Sequence, residues 1–226
     1  MADQLVLKLP VRTAFGRDDY FVSDANALAV DVVRDWKTWA NGRLILSGPA
    51  GSGKTHLLSI WAADVGAERV RPEAVSSWRP KSPAVPLAIE DLSQTADQHA
   101  LVLLLNQMAA DGLPVLLSSN PPPKDLGFAL PDLVSRIESS SHVTLGAVDD
   151  ALLNAVFLKL ASDRQLTFDP GVVPFTLARV ERSLSSLKNL VAKLDHMSLQ
   201  RQKPVTKRLV GDAIATLEDG GTDERH

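Results

Sequence analysis

The sequence has no cysteine, and that absence removes disulfides, thiolate metal centres and cysteine nucleophiles from consideration. It suits a reducing cytoplasm, the location expected. Long hydrophobic runs are missing too: Ala100 to Leu105 and Leu113 to Leu117 are among the longest, far short of the ~18 residues that a membrane span needs. No membrane association is expected, and no signal-peptide pattern is visible. Nor is there an excess of positive charge. Lysine and arginine total 24 against 27 acids, a net charge of −3, which argues against a protein that coats nucleic acid through a general basic surface. The histidines, at 56, 99, 142, 196 and 226, stand at no metal-ligand spacing, and no serine–histidine constellation suggests a hydrolase.

What is present is a chain of 226 residues, 45% hydrophobic and 23% charged, enough for one large domain or two small ones with a real core. Its organising stretch is Gly48-Pro49-Ala50-Gly51-Ser52-Gly53-Lys54-Thr55, which fills every fixed place of the phosphate-binding pattern G-x-x-x-x-G-K-[ST]. The apolar run Leu44 to Leu46 reads as a buried strand leading in, and His56 to Ala63 as the helix leading out. Glycines let successive backbone N–H groups turn toward one anion, and the helix N-terminus adds partial positive charge. Lys54 is expected to reach the β- and γ-phosphates, and the Thr55 hydroxyl to ligate magnesium.

Downstream, Arg71 to Pro86 carries four prolines and little periodicity, an irregular connection. The run Pro86 to Ile89 then ends in Glu90 and Asp91, the form of a Walker B strand that holds carboxylates beside the P-loop magnesium. A helix over His99 to Ala110 and a strand over Val115 to Ser119 follow, with Asn120 at the strand tip, where a polar side chain can hold a water or the γ-phosphate. Leu133 to Ile137 reads as a short helix and Val143 to Leu145 as a fourth strand. Before the P-loop, Ser23 or Asp24 can cap a helix running through Leu28 to Trp36, which Asn41-Gly42 ends. Strands alternating with helices argue a parallel sheet covered on both faces, with ligand at the carboxyl ends of the strands. From Asp149 the pattern is wholly helical. The expected layout is an extended N-terminal peptide over 1–12, an α/β nucleotide-binding domain over 13–147, an all-α lid over 148–218 and a disordered tail over 219–226. Trp78 is the tryptophan expected to be most exposed.

This order of elements resembles the AAA+ ATPases, and the details resemble the DnaA family: Phe21-Val22 with Asn26 before the first helix, GKTHLL at the P-loop, SSNPPPKDL after the third strand and LPDLVSRI beyond it. DnaA proper adds an N-terminal module and an origin-reading helix-turn-helix, and this chain ends after the lid. It is therefore similar to the Hda-type members of the family, which switch the initiator off. LVAKLDHMSLQRQKPVT in the lid and the leading Gln4-Leu5-Val6-Leu7-Lys8-Leu9 extend the likeness.

The resemblance implies a set of roles. Residues 48–56, from Gly48 through His56, hold ADP or ATP, with Phe21, Val22 and Asn26 on the adenine side; Thr55 and Glu90 hold magnesium; Asp91 and Asn120 stand at the catalytic acid and γ-phosphate positions. Arg136 is the arginine finger that completes the site of a neighbouring DnaA. Gln4, Leu5, Leu7 and Leu9 dock on the β sliding clamp of DNA polymerase III, so that DNA is met only through the clamp. A homodimer is compatible with this. Two departures bear on the chain's own ATP chemistry: Glu90 stands where the family has aspartate, and Ser185 falls at the lid arginine, with Arg182 and Lys188 a turn to either side. They imply weak intrinsic hydrolysis, the nucleotide serving as a structural cofactor. Two other readings stay open: a helicase-loader-like AAA+ ATPase that binds single-stranded DNA, and a P-loop enzyme acting on a small molecule.

Overall fold

The computed structural model describes residues 12–13, 20–80, 84–201 and 204–220, which fall into two compact units divided between Ala147 and Val148. The described chain opens with two-residue strands, β1 (Arg12–Thr13), of which Thr13 begins the first unit, and β2 (Phe21–Val22), and helix α1 (Ala27–Arg34). There follow β3 (Arg43–Ser47), α2 (Lys54–Val65), β4 (Glu68–Val70), β5 (Leu87–Ile89), α3 (Gln98–Ala110), β6 (Val115–Ser119), α4 (Pro131–Glu138) and β7 (Ser141–Thr144). The five later strands form one sheet in the order β4-β5-β6-β3-β7, parallel throughout. This is the α/β architecture expected.

All five residues of β3 are buried, and so are all five of β6, as a parallel sheet covered on both sides requires. Alternation sorts their side chains between two cores. Leu44, Leu46, Leu116, Val143 and Leu145 pack with Val30, Val33, Leu57, Leu58 and Trp61 of α1 and α2. On the other face Ile45, Leu87, Ile89, Val115 and Leu117 pack with Leu101, Leu105 and Met108 of α3 and with Leu133 and Ile137 of α4. Strand β3, paired on both sides, thus delivers its last residue to the loop at 48.

Four local readings need correction. Asn26, not Ser23 or Asp24, stands at the start of α1, where its side-chain oxygen accepts from the Ser23 N–H at 2.9 Å. That helix ends at Arg34; the Trp39 indole donates to Val32 O at 2.8 Å, folding the chain back over its last turn, and Asn41 and Gly42 take left-handed conformations in the turn before β3. Strand β4 escaped notice because two of its three residues are charged and it lies at the sheet edge, so it makes no apolar run. Trp78 is half-buried rather than exposed, packed against the α3 core by the turns at 74–78.

The second unit holds α5 (Asp150–Asp163), α6 (Val172–Leu177), α7 (Leu184–Arg201) and α8 (Lys207–Gly220). Its own core joins Val172, Leu190, Leu194, Leu209 and Val210, and Phe157 stacks on Phe168 with ring centroids 5.5 Å apart. Asp149 caps α5, accepting from the Leu152 N–H at 2.7 Å. Among the described residues no helix is long and apolar enough to cross a membrane.

Leu116 is fully buried in the sheet centre. Leu116→Ala is expected to destabilise the first unit by about 2–5 kcal/mol, transfer and cavity costs together; a urea unfolding midpoint compared with wild type measures it.

Candidate nucleotide-binding site

The site is built on the turn from β3 to α2. Gly48, Gly51 and Gly53 have φ of 153°, 72° and 100°, left-handed backbone that L side chains rarely adopt. At Gly48 a close approach adds to this: a Cβ there would stand 2.7 Å from the Leu145 carbonyl oxygen. Strand β7 continues into Leu145, whose N–H donates to Ser47 O at 2.8 Å, and Gly146 then donates to Ala25 O at 3.1 Å. The loop is therefore wedged between β7 and the segment at 20–26. Gly53 gives α2 no side-chain cap, so the first-turn N–H groups remain for an anion. Ser52 Oγ is buried without a hydrogen-bond partner. Lys54 Nζ folds back and donates to Gly48 O and Pro49 O, both at 2.8 Å, while Thr55 lies exposed and His56 half-buried.

Burial pushes the Lys54 ammonium below its ordinary range, and the Asp91 carboxylate acts in the opposite sense. That interaction places Asp91 within electrostatic reach of the P-loop lysine. Asp91 takes a left-handed conformation with φ of 42°; its N–H donates to Ser118 Oγ at 3.0 Å, and its carboxylate accepts from Gln94 Nε2 at 2.8 Å. Glu90 instead pairs with Arg69 of the edge strand β4. Asn120 is exposed at the tip of β6. Loop, Asp91 and Asn120 thus share the carboxyl edge of the sheet. Among the described residues no cluster of histidines and carboxylates could hold a metal by protein ligands alone, and P-loop magnesium does not need one, because phosphates and water complete its shell.

On the side expected for adenine, Asn26 is buried and its amide donates to Phe21 O at 3.0 Å. The neighbouring Tyr20 packs edge-on against His56, with ring centroids 5.3 Å apart. Burial holds the Tyr20 phenol well above its ordinary value, opposed in part by its hydrogen bond to Asn26. Sequence reasoning gave no role to Tyr20, Leu145 or Gly146. A glycine directly after the strand at 143–145 was the available signal.

Ser47, fully buried below the loop, meets His142 Nε2 at 2.7 Å and Thr144 Oγ1 at 2.9 Å. This ties β3 to β7 and was not anticipated.

Arg136 does not join these residues. It lies near the end of α4, where Nε and Nη2 donate to Asn106 Oδ1 at 2.9 and 2.6 Å and Nη1 donates to Asp132 O at 3.0 Å and pairs with the Asp132 carboxylate. Arg43, the first residue of β3, donates to Ser140 Oγ at 3.2 Å and Ser139 Oγ at 3.3 Å; burial, then the charge of Arg136, lowers its pKa. In the second unit Arg182 pairs with Asp150 at 2.9 Å, and Ser185 Oγ meets Ser183 Oγ at 2.6 Å. Gln4, Leu5, Leu7 and Leu9 lie outside the described residues.

A P-loop between a buried parallel strand and a helix, an acid one strand over, and a helical unit following define the AAA+ fold. Comparison with solved structures agrees. Domain III of the replication initiation protein DnaA from Thermotoga maritima matches with a TM-score of 0.74, 20% identity, 93% of this chain and 98% of that one covered. AMPPCP-bound DnaA from Aquifex aeolicus matches at 0.62, with 17% identity over 81% of this chain and 67% of that one. The RuvB branch migration motor of Thermotoga maritima matches at 0.60, with 16% identity over 77% and 61%. The family profile described as Hda, lid domain, matches residues 149–213. Residues 149–213 thus match the lid domain of Hda, behind a domain with the fold of DnaA domain III. An uncharacterised protein of Haemophilus influenzae is 27% identical over 202 residues, 82% of this chain and 87% of its own length.

Two outcomes are expected. Gly48→Ala abolishes nucleotide binding in a fluorescent-nucleotide titration, since both the backbone conformation and the Leu145 carbonyl oppose a Cβ. Partial desolvation of the largely exposed His142 also lowers its pKa from its ordinary 6.5, so the unfolded chain binds the proton more readily than the folded one. The stability His142 contributes is present above 6.5 and drains as pH falls through the lowered folded value. His142→Gln should flatten that loss in thermal unfolding scans between neutral and mildly acidic pH.

Proposed function

We propose that this chain is a negative regulator of chromosomal replication initiation of the Hda type. It binds adenine nucleotide at the P-loop, docks on the sliding clamp of DNA polymerase III through Gln4, Leu5, Leu7 and Leu9, and presents Arg136 to the ATP held by DnaA. The observation that carries this reading is the Hda lid match at 149–213 behind a DnaA-like P-loop domain.

The residues at 48–56 fit a nucleotide's phosphates. Ser52 Oγ is buried without a partner, and the two carbonyls now holding Lys54 are the acceptors that phosphate oxygens would replace. Phe21, Val22 and Asn26 would line the adenine. Thr55 would supply the magnesium ligand, with Asp91 and Asn120 at the catalytic positions beside it. The solved DnaA of Aquifex aeolicus is AMPPCP-bound, which supports an adenine nucleotide here, ADP or ATP. With Glu90 engaged by Arg69 and Ser185 at the lid arginine position, the chain's own hydrolysis is weak or absent. The nucleotide then serves to order the protein, and the ATP that matters belongs to DnaA.

ATP hydrolysis by the same organism's DnaA on clamp-loaded DNA tests this. Intact protein should raise the rate. Arg136→Ala should remove the stimulation while clamp binding persists, a finger being worth about three to five orders of magnitude in phosphoryl transfer. Alanine at Gln4 and Leu5 should remove both. If the intact protein changes nothing and binds single-stranded DNA tightly, the helicase-loader reading replaces this one.

A further inference from the structure

A guanidinium has five N–H donors, and four of those of Arg136 are spoken for within its own chain. Two converge on one neutral acceptor, Asn106 Oδ1, from Nε at 2.9 Å and Nη2 at 2.6 Å. Two more, on Nη1, go to the carbonyl and carboxylate of Asp132. The two partners differ in kind. Asn106 belongs to α3, and α3 is fixed to the start of α4 because Gln98 Oε1 accepts from the Ala129 and Leu130 N–H groups at 3.0 and 2.9 Å. Asp132 sits one turn before Arg136 on the same helix, in an i,i+4 pair whose acid is 54% exposed. Such solvated pairs are weak.

We infer that Asn106 is a positioning residue for Arg136 and Asp132 its exchangeable counter-ion, which an incoming phosphate displaces; this rests on the reading of Arg136 as the finger. A neutral amide oxygen aims the guanidinium without competing for its charge. It grips the Nε–Nη2 edge and leaves Nη1 held only by Asp132 of its own helix, the nitrogen that can be released outward. A phosphate oxygen makes the same charge-assisted contact to Nη1 as the Asp132 carboxylate does, and carries more charge. The exchange therefore moves one weak pair and leaves the aiming contact intact. Arg43 completes the arrangement, since its bonds to Ser139 and Ser140 hold the turn directly after Arg136 and its like charge disfavours retreat of the guanidinium toward the sheet.

The test uses the full-length protein in two assays. In the first, phenylglyoxal labelling of Arg136 is followed by mass spectrometry, with the solvent-exposed Arg79 as internal reference. Asn106→Ala and Asp132→Asn should each raise the labelling rate about two- to fivefold, the effect of releasing one exposed polar or ionic contact. Asn106→Asp, which puts a carboxylate at the same place, should lower it. In the second, DnaA ATP hydrolysis is titrated. Asn106→Ala should cut maximal stimulation about tenfold, the worth of a hydrogen bond to a charged group, with the half-saturating concentration unchanged. Asp132→Asn should keep the maximum and lower the half-saturating concentration about two- to fivefold. Labelling rates at the wild-type value in all three variants overturn the inference whatever DnaA does. Altered labelling with no loss of stimulation in Arg136→Ala leaves the cradle standing and overturns the finger. A fall in maximal stimulation for Asp132→Asn equal to that for Asn106→Ala overturns the division of roles.

Discussion

The structure depends on one close approach, that of Gly48 to the Leu145 carbonyl, where even a methyl group would stand 2.7 Å from the oxygen. It fixes where the P-loop leaves the sheet. Leu145 is held by Ser47 and Gly146 by Ala25, so the same contact aligns the segment that carries Tyr20, Phe21 and Asn26. Loop, the segment at 20–26 and strand β7 are thus located by backbone hydrogen bonds rather than by side chains that can swing. An anion site made mostly of N–H groups needs that rigidity, because its donors cannot adjust one at a time.

The surrounding layers explain why the backbone stays put. Strand β3 is paired on both sides, to β6 and β7, and buried on both faces, so it can neither slide in register nor tilt without exposing a core. Polar contacts finish the work at its last residue, where Ser47 meets His142 and Thr144. The lid unit has its own core and its own caps. Its leading ion pair, Arg182 to Asp150, is internal to it.

Strands β3, β5 and β6 were legible because they are continuous apolar runs ending at turn chemistry, and the P-loop because glycine spacing and the flanking strand and helix all agree. Strand β4 was not, since Glu68 and Arg69 offer no apolar pattern and only the register with Leu87 and Ala88 makes them a strand. Residues of the P-loop, which have a local pattern, could be named from sequence. Those that act by contact across the fold could not: Tyr20 against His56, Ser118 under Asp91, Leu145 under Gly48, and Asn106 beside Arg136 are separated in the chain and carry no spacing. The two acids after β5 show the limit most clearly. Sequence presents Glu90 and Asp91 as neighbours of equal standing, and it is the strand's alternation, with Arg69 waiting on β4, that sends one carboxylate sideways and brings the other within reach of Lys54.

The same alternation ties the two ends of β3 together. Arg43, Ile45 and Ser47 point to one face of a five-residue strand. Ser47 precedes the P-loop, and Arg43 holds the serines that follow Arg136. The P-loop leaves one end of this strand and the turn after Arg136 is held at the other, about 3.3 Å of rise per residue apart. A strand buried on both faces is too stiff to absorb a displacement at one end by bending, so a shift of the loop must either be refused or carried to the turn at 139–140. The packing favours refusal: β6 and β7 hold β3 in register along its length. Arg136 is then held by a frame whose geometry is set by the fold itself, at the end of β3 opposite the P-loop.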